Sequence, residues 1–207
     1  MNPSAKKTEW LLWGGLAVMV AVILAAFIGP PVKAKPLPVY GAMPAFRLTD
    51  QDSRPTTPET LRGQVWIADV IFTRCAGQCL IMSGHMKDLQ ASLPPGSLVK
   101  LVSFTTDPDF DTPAILKKYA ARFGADDGRW IFLTGDKAAL RQATVMGMKL
   151  TVMDKPPGER DNESDFFIHS AKFVLIDQSG NIRGYYDGET PEAVTQVLAA
   201  AESLARR

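Results

Sequence analysis

The sequence predicts an α/β fold with a central mixed sheet flanked by helices, preceded by one N-terminal transmembrane helix. Val65–Phe72 is a nearly continuous apolar run, interrupted only by Asp69, and is typical of a strand covered on both faces of a sheet. Strand-like and helix-like segments alternate after it, which predicts right-handed crossover connections. Near the N-terminus, Trp10–Ile28 contains no charged residue, and a helix of that length nearly crosses a hydrocarbon layer of about 30 Å.

Composition narrows the classes of function. The chain has 207 residues, a net charge of +1 and 46% hydrophobic residues, so it can form an ordinary core. It lacks the basic excess that binding to nucleic acid requires, and we expect no nucleic-acid partner. Because the chain has only two cysteines and two histidines, a metal site made of these residue types must draw on Cys75, Cys79, His85 and His169.

The N-terminal part is expected to hold the domain at a membrane. Residues 1–9 should be cytoplasmic, because Lys6 and Lys7 precede the apolar segment, and residues 10–28 should be the anchor. Residues 29–44 are proline-rich and predict an extended linker, and residues 45–207 form the folded domain. This arrangement predicts a single-pass protein of a bacterial inner membrane with its domain in the periplasm. A cleaved signal peptide is the alternative, although the apolar run is long for one.

The chain is organised around Cys75 and Cys79, which follow the central strand directly. A helix is predicted after them, because four apolar residues recur at helical spacing: Met82, Met86, Leu89 and Leu93. At the N-terminus of that helix the unpaired N–H groups favour thiolate over thiol. Cysteines four residues apart in a helical turn can also be bridged. The pair can therefore be a dithiol, a disulfide or a metal clamp. A purely structural disulfide is less attractive, because closing so short a loop adds little stability.

The segments that follow alternate as an α/β fold requires. Leu98–Thr105 and Trp130–Thr134 are predicted strands. Thr112–Phe123 is a predicted helix with Thr112 as N-cap, Pro113 in its first turn and Gly124 just beyond its end. Asp136 should cap a further helix that runs to about Gly147.

The C-terminal part is predicted to be a mobile loop, a hairpin and a closing helix. Met153–Asp165 is polar, acid-rich and broken by prolines, as in a surface loop. A strand should start at Phe167 and alternate through His169, and Ile182–Tyr186 should be its antiparallel partner. The last helix should be capped by Thr190 and carry an apolar stripe, which consists of Val194, Val197, Leu198 and Ala201.

In this order the elements make a thioredoxin-like domain, and several motifs resemble one family. Four segments are similar, in order and spacing, to those of the Sco/SenC family of copper proteins. They are FTRCAGQC with Met86 after it, TTDPDFDTPAILKKYAARF, WIFLTGD and DFFIHSAKFVLIDQSGNIRGYY. The resemblance covers Ala45 to the C-terminus. The Cys-x-x-x-Cys, Asp-Thr-Pro and His-Ser blocks are specific in combination.

The resemblance implies that Cys75, Cys79 and His169 bind one copper ion, as Cu(I) or Cu(II), and that Cys75 and Cys79 also act as a redox pair. It implies a role in assembly of the dinuclear copper centre of cytochrome c oxidase, as metallochaperone, thiol reductase or both. The implied partners are a copper-accepting protein, such as a cytochrome c oxidase subunit, and a thiol-reducing partner. Two thiolates and an imidazole also suit copper on chemical grounds.

The sequence departs from the family pattern at three positions. The family usually has proline after each cysteine and aspartate before the histidine, where this chain has Ala76, Leu80 and Ile168. The loss of an acidic neighbour removes one means of orienting the imidazole.

Other interpretations remain open. The main alternative is a thiol–disulfide oxidoreductase of the periplasm that needs no metal, and a redox or copper sensor is a weaker one. A zinc site that uses His85 as a fourth ligand is disfavoured, because no zinc-finger spacing is present. We expect His85 to be solvated, Met82 and Met86 to be core residues, and Asp107 to be a turn residue that could lie near the dithiol.

Overall fold

The computed structural model describes Trp10, residues 13–22, Leu24 and residues 36–126, 128–159, 162 and 166–206. In the N-terminal unit, which ends at Pro36, the described residues between Trp10 and Leu24 are helical. The predicted membrane segment Trp10–Ile28 falls partly outside the described residues, as do residues 1–9 and most of the predicted linker. Within the described residues, no helix combines the length and the apolar character needed to cross a membrane.

The second unit, Leu37–Arg207, contains the expected mixed sheet. In chain order the described strands are β1 (Gly41–Ala42), β2 (Leu48–Asp50), β3 (Pro55–Thr56), β4 (Val65–Ile71), β5 (Val99–Thr105), β6 (Trp130–Thr134), β7 (Val152–Asp154), β8 (Phe167–His169), β9 (Lys172–Ile176) and β10 (Asn181–Asp187). Eight of these strands form the main sheet in the order β1-β10-β9-β4-β5-β6-β2-β3, and β7 and β8 pair separately.

The centre of the sheet places two loops side by side. Strand β4 is buried along its whole length, pairs in parallel with β5 and antiparallel with β9, and is the predicted central strand. Strands β5 and β6 are also parallel. Because β4 and β5 run in the same direction, the loop after Ile71, which carries the cysteines, lies beside the loop after Thr105.

Helices cover both faces of the sheet, as predicted. The helices are α1 (Gln78–Ser92), α2 (Pro113–Phe123), α3 (Lys137–Arg141), which continues as a π-helical turn over Gln142–Gly147, and α4 (Pro191–Ala205). Short 3-10 turns lie at Pro58–Leu61 and Pro157–Glu159. One core cluster joins the sheet to α1, α2 and α4, and a second joins the opposite face to α3. Met82, Met86 and Leu89 are fully buried in the first cluster, which confirms the predicted stripe of α1.

The predicted helix ends are confirmed in two cases and corrected in a third. Thr112 Oγ1 accepts from the amide of Ile115, and an Asp136 carboxylate oxygen accepts from the amide of Ala139, so both cap their helices. Thr190 precedes α4 but makes no side-chain cap bond; its hydroxyl donates to the carbonyl of Asp187 instead.

The sheet begins earlier than residue 45, inside the segment predicted as linker. Strand β1 pairs with β10, and the amide of Tyr40 donates to the carbonyl of Ile182 over 2.9 Å. The guanidinium of Arg183 donates to the carbonyl oxygens of Leu37 and Pro38. These bonds fix the chain from Leu37 onward because an edge strand with unpaired amides gains hydrogen bonds by pairing.

The C-terminal hairpin differs from its prediction in two ways. The segment Met153–Asp165 is not all loop, because Met153 and Asp154 belong to β7 and the 3-10 turn Pro157–Glu159 follows; residues 160–161 and 163–165 lie outside the described residues. The strand predicted to start at Phe167 is divided in two. Strand β8 pairs with β7, and the chain enters the main sheet only at Lys172, where β9 begins.

Candidate metal centre

The two cysteines lie where strand β4 gives way to helix α1. The backbone of residues 72–77 forms a turn in which the amide of Cys75 donates to the carbonyl of Phe72 over 3.1 Å, and Gly77 is the residue before the helix. Cys79 lies in the first turn of α1 and is fully buried, whereas Cys75 is half-buried. We call residues 72–79 the dithiol loop. Both cysteines are free thiols here, which is one of the three states that the sequence left open.

The two sulfurs differ strongly in acidity. A hydrogen bond from Cys79, supported by His169 and by the backbone amides of Cys79 and Gly77, lowers the pKa of Cys75 to about 4 despite its partial burial. The same hydrogen bond and burial raise the pKa of Cys79 far above its ordinary value. Cys75 is therefore a thiolate at neutral pH, and Cys79 is the thiol that donates to it.

His169 is brought to this pair by strand β8. It is 8% exposed, and its Nε2 lies 3.1 Å from Sγ of Cys79. Which atom donates in this contact depends on the tautomer of the imidazole. The ring also packs edge-to-face on Phe72, with the centroids 6.0 Å apart, and Nδ1 lies 3.4 Å from the carbonyl oxygen of Ser170.

Cys75, Cys79 and His169 have donor atoms that suit a soft metal ion, but His169 and Cys79 are hydrogen-bonded to each other and lie too close together to share one. Two sulfurs and one imidazole nitrogen are the ligand types of Cu(I) and Zn²⁺ sites. A sulfur at about 2.3 Å and a nitrogen at about 2.0 Å from one ion lie roughly 3.6 Å apart at a tetrahedral angle, which is longer than the observed hydrogen bond. In keeping with this, no group of three His, Cys, Asp or Glu side chains among the described residues is already spaced around an ion. A small separation of His169 from Cys79 would admit one.

His85 is engaged elsewhere. It is partly buried rather than solvated, and its Nδ1 lies 2.8 Å from the carbonyl oxygen of Gly188, which accepts the hydrogen bond. This corrects the prediction of a solvated histidine. The contact ties α1 to the turn before α4 and leaves His169 as the histidine at the dithiol.

Comparison with known proteins decides the family. The family model for SCO1/SenC matches residues 37–205. The chain is 33% identical over 192 residues to the SCO1 protein homolog of Bacillus subtilis, a match that spans 92% of this chain and 95% of that protein. This chain belongs to the SCO1/SenC family.

Solved structures of SCO1/SenC proteins share its fold. A SCO1/SenC family lipoprotein from Bacillus anthracis is 32% identical, with a TM-score of 0.68 over 80% of this chain and 95% of that one. BsSco, described as a member of the Sco family of cytochrome c oxidase assembly proteins with a disulfide switch, is 30% identical, with a TM-score of 0.69 over 83% and 98%. Bradyrhizobium japonicum ScoI with copper bound is 21% identical, with a TM-score of 0.66 over 79% and 99%, and at that identity shows the fold alone. The predicted family and α/β architecture are thereby confirmed.

The positions at which this chain departs from the SCO1/SenC pattern lie around the site. Ala76 is exposed in the dithiol loop, and Leu80 is partly buried against the main core cluster. Ile168 is 45% exposed and points away from the site while its neighbour His169 points inward. The hydrogen bond to Cys79 and the ring of Phe72 orient His169 without an acidic neighbour in the sequence.

Asp111, the aspartate of the Asp-Thr-Pro block, fixes the dithiol loop, a role that the sequence analysis did not assign to it. Asp111 is fully buried and accepts hydrogen bonds from the amide and hydroxyl of Thr73 and from the hydroxyl of Thr105. Burial raises the pKa of its carboxyl, and these bonds oppose the rise. Asp111 thus joins the dithiol loop to the end of β5. The signal available in the sequence was its place after a strand that neighbours the central one.

Asp107 lies in the same loop and is both a turn residue and a neighbour of the dithiol loop, the two roles that the sequence predicted for it. Its carbonyl accepts from the amides of Phe110 and Asp111, so it forms a turn. Its carboxylate is also 2.5 Å from the guanidinium of Arg74, the residue next to Cys75. The residue is therefore close to the dithiol loop through Arg74.

A second buried carboxyl, Asp69, lies below the site on strand β4. It is between Ile67 and Ile71, whose side chains belong to the cluster that contains Cys79, so it points to that same face of the sheet. Neither of its oxygens has a hydrogen-bond partner among the described residues. Burial raises its pKa to about 7, while Ser103 and His169 oppose the rise.

Proposed function

We propose that this protein binds one copper ion through Cys75, Cys79 and His169 and delivers it to a copper-accepting protein such as a cytochrome c oxidase subunit. The observation that carries this proposal is the contact of 3.1 Å between His169 and Cys79, beside a cysteine that is already a thiolate. A thiol–disulfide exchange reaction makes and breaks bonds at sulfur atoms alone, whereas a copper ion held by the dithiol would gain a third ligand from the buried imidazole. A relative from Stutzerimonas stutzeri that is 33% identical over 153 residues bears the name "Putative copper-binding protein", which supports the choice of metal.

The arrangement also explains how an ion could enter and leave. Cys75 offers a thiolate at the half-buried side of the site, Cys79 must lose its proton, and His169 must move away from Cys79 by about 0.5 Å to make room. Two thiolates and one neutral imidazole favour a monovalent, soft ion in low coordination. A bound copper ion would be cargo that a partner with further soft ligands can remove.

The membrane context is part of the proposal. The uncharged segment Trp10–Ile28, with Lys6 and Lys7 before it, would anchor the chain once in a bacterial inner membrane and place the domain in the periplasm. The periplasm is kept oxidising, so Cys75 and Cys79 would form a disulfide unless a thiol-reducing partner acts on them. Delivery of copper therefore implies two partners, one that accepts copper and one that reduces the pair.

A second function, thiol–disulfide exchange, is favoured by the unequal acidity of the two sulfurs. The Cys75 thiolate would attack a disulfide of a partner protein and release one of its sulfurs as thiolate. Cys79 would then attack the sulfur of Cys75 in the mixed disulfide and pass its proton to the released thiolate. That attack would release the partner's second sulfur as a thiolate, which takes a proton from water, so the partner would leave as a dithiol and Cys75 and Cys79 would be left as a disulfide.

Copper binding before and after reduction tests the main proposal. The reduced protein should hold about one equivalent of copper, and the oxidised protein should hold almost none, because a disulfide has no thiolate to donate. Treatment of the oxidised sample with a reductant should restore binding, whereas Cys75→Ser should abolish it in either state. The measurement is metal analysis after removal of unbound copper, and equal occupancy of the reduced and oxidised samples would refute the dithiol as the site.

A further inference from the structure

His169 belongs to a hairpin that is separate from the main sheet. Strands β7 and β8 pair with each other, as in the bond from the amide of Ser170 to the carbonyl of Thr151 over 2.9 Å. Beyond β8 the chain is tied to the turn before α4 by the bond from the amide of Gly188 to the carbonyl of Ala171, and side-chain contacts hold the rest of the hairpin. On its outer side, the ion pair between Lys137 and Asp154 is exposed and adds little. Contacts between the hairpin and the dithiol loop therefore contribute to the position of His169.

Arg74 makes such a contact from inside the dithiol loop. Its guanidinium carbon lies 4.5 Å from the ring centroid of Phe166, the residue directly before β8, and 4.2 Å from that of Phe110. Its Nη2 lies 2.5 Å from the carboxylate of Asp107. The side chains of Arg74 and Asp107 are 21% and 8% exposed, so solvent screens this pair only partly.

One guanidinium therefore joins three segments. Arg74 belongs to the dithiol loop, Phe166 to the hairpin, and Asp107 and Phe110 to the loop after β5. The planar group can stack on an aromatic ring and form an ion pair at its edge at the same time, which a lysine ammonium cannot do. Phe167, next to Phe166, packs on Phe72, the first residue of the dithiol loop, with ring centroids 5.2 Å apart.

We propose that Arg74 is a positioning residue that holds the β7–β8 hairpin against the dithiol loop and so places His169 at Cys79. The consequence for copper rests on the proposed function: a loosened hairpin lowers copper affinity through His169 while both thiols remain intact.

The position of the imidazole tests this inference without any metal. The reduced full-length protein, labelled with ¹⁵N at its two histidines, reports His169 and, as an internal control, His85, which binds Gly188. Arg74→Gln and Arg74→Lys both remove the planar stack, and Phe166→Leu removes the partner ring from the hairpin side. Arg122→Gln is the matched control, since Arg122 lies 5.7 Å from the ring of Phe123 on α2.

Arg74→Gln, Arg74→Lys and Phe166→Leu should shift the His169 signals toward those of a solvated imidazole and leave His85 unchanged. Arg122→Gln should change neither histidine. If the His169 signals match the parent in Arg74→Gln and in Phe166→Leu, the inference is wrong. A variant that unfolds would move both histidines, and the remaining variants then decide.

Copper competition separates this inference from the proposed function. In the parent background, Arg74→Gln should weaken Cu(I) binding about 10-fold, within the range that residues supporting a ligand usually show. In the His169→Ala background it should cause no further loss. An equal loss in both backgrounds would overturn the positioning role, because Arg74 would then act without His169. A parent protein that binds no copper would refute the proposed function, while the histidine spectra would still decide the role of Arg74.

Discussion

Cys75 and Cys79 are four residues apart in the chain, yet they have opposite chemical states. Cys75 receives hydrogen bonds from a thiol, an imidazole and two backbone amides, which together stabilise negative charge. Cys79 is fully buried beside that charge, so a second thiolate would be both unsolvated and repelled. Cys75 is therefore ready to react or to bind a metal at neutral pH. Cys79 loses its proton only when a bound cation balances the negative charge or when its sulfur forms a disulfide bond.

Asp69 gives the sharpest prediction for a single residue outside the proposed ligands. Its pKa of about 7 in the folded protein exceeds its ordinary value of 3.8. The protonated form therefore favours the folded state, and this contribution to stability is complete at about pH 4, falls as the pH rises toward 7 and is lost above it. A difference of about three pKa units corresponds to an effect on the order of 4 kcal/mol.

Asp69→Asn should remove this pH dependence. The difference in unfolding free energy between variant and parent should grow in favour of the variant from pH 4 to pH 7 and level off above it. Urea titrations at several pH values measure it, with the exposed Asp109→Asn as a control that should follow the parent. A constant difference between Asp69→Asn and the parent across this range would mean that Asp69 is ionised throughout.

At the scale of elements, the dithiol loop is held by the neighbouring loop rather than by its own sequence. Asp111 accepts three hydrogen bonds, two of them from Thr73, and Asp107 pairs with Arg74. The anchor residues are about 35 positions away from the residues they fix, because parallel strands β4 and β5 end side by side. A loop without proline after its cysteines is thereby kept in one conformation.

Asp111→Ala should destabilise the fold by about 2–4 kcal/mol, because it leaves a buried amide and two hydroxyls without their acceptor. Asp109→Ala, two residues earlier and exposed, should change stability by no more than about 0.5 kcal/mol. Chemical denaturation of both variants at neutral pH provides the comparison. Similar effects for the two substitutions would show that the hydrogen bonds of Asp111 do not anchor the loop.

The sequence predicted the regular elements well because their signals are local. The stripe of α1, the caps Thr112 and Asp136 and the buried strand β4 each depend on residues within one element, and the structure confirms them. The hairpin was predicted less well. Strand β8 ends at His169 because its partner is β7 rather than the main sheet, and no pattern within residues 167–175 shows where a strand changes its partner.

The sequence predicted the residues of the candidate site itself but not the residues that hold them in position. The spacing of the cysteines and the resemblance to a family indicated Cys75, Cys79 and His169, and the structure brings His169 within hydrogen-bond distance of Cys79. Arg74, Phe166 and Asp111 also lie in the segments that carry the resemblance, but their roles could not be predicted because those roles arise from contacts between loops distant in sequence. The hydrogen bond of His85 to Gly188 was missed for the same reason.

At the scale of the whole molecule, the fold extends to Leu37, and the residues before it are a separate unit. The proposal that this unit anchors the domain outside the cytoplasm predicts where the C-terminus lies. A reporter that is active only in an oxidising compartment, fused after Arg207, should be active in bacteria, and a reporter that requires the cytoplasm should be inactive. Activity of the cytoplasmic reporter alone would contradict the proposed topology.

The central claim is that an imidazole completes a copper site with the dithiol, and Cu(I) affinity tests it most directly. Competition titrations against a chelator of known affinity should be run on the reduced parent, on His169→Ala and on His85→Ala, which removes the histidine that binds Gly188. His169→Ala should weaken binding by at least about 10–100-fold, the loss that even indirect support of a metal ligand produces. His85→Ala should bind as the parent does. If His169→Ala retains the affinity of the parent, the three-ligand copper site is wrong, and thiol–disulfide exchange becomes the better account of this protein.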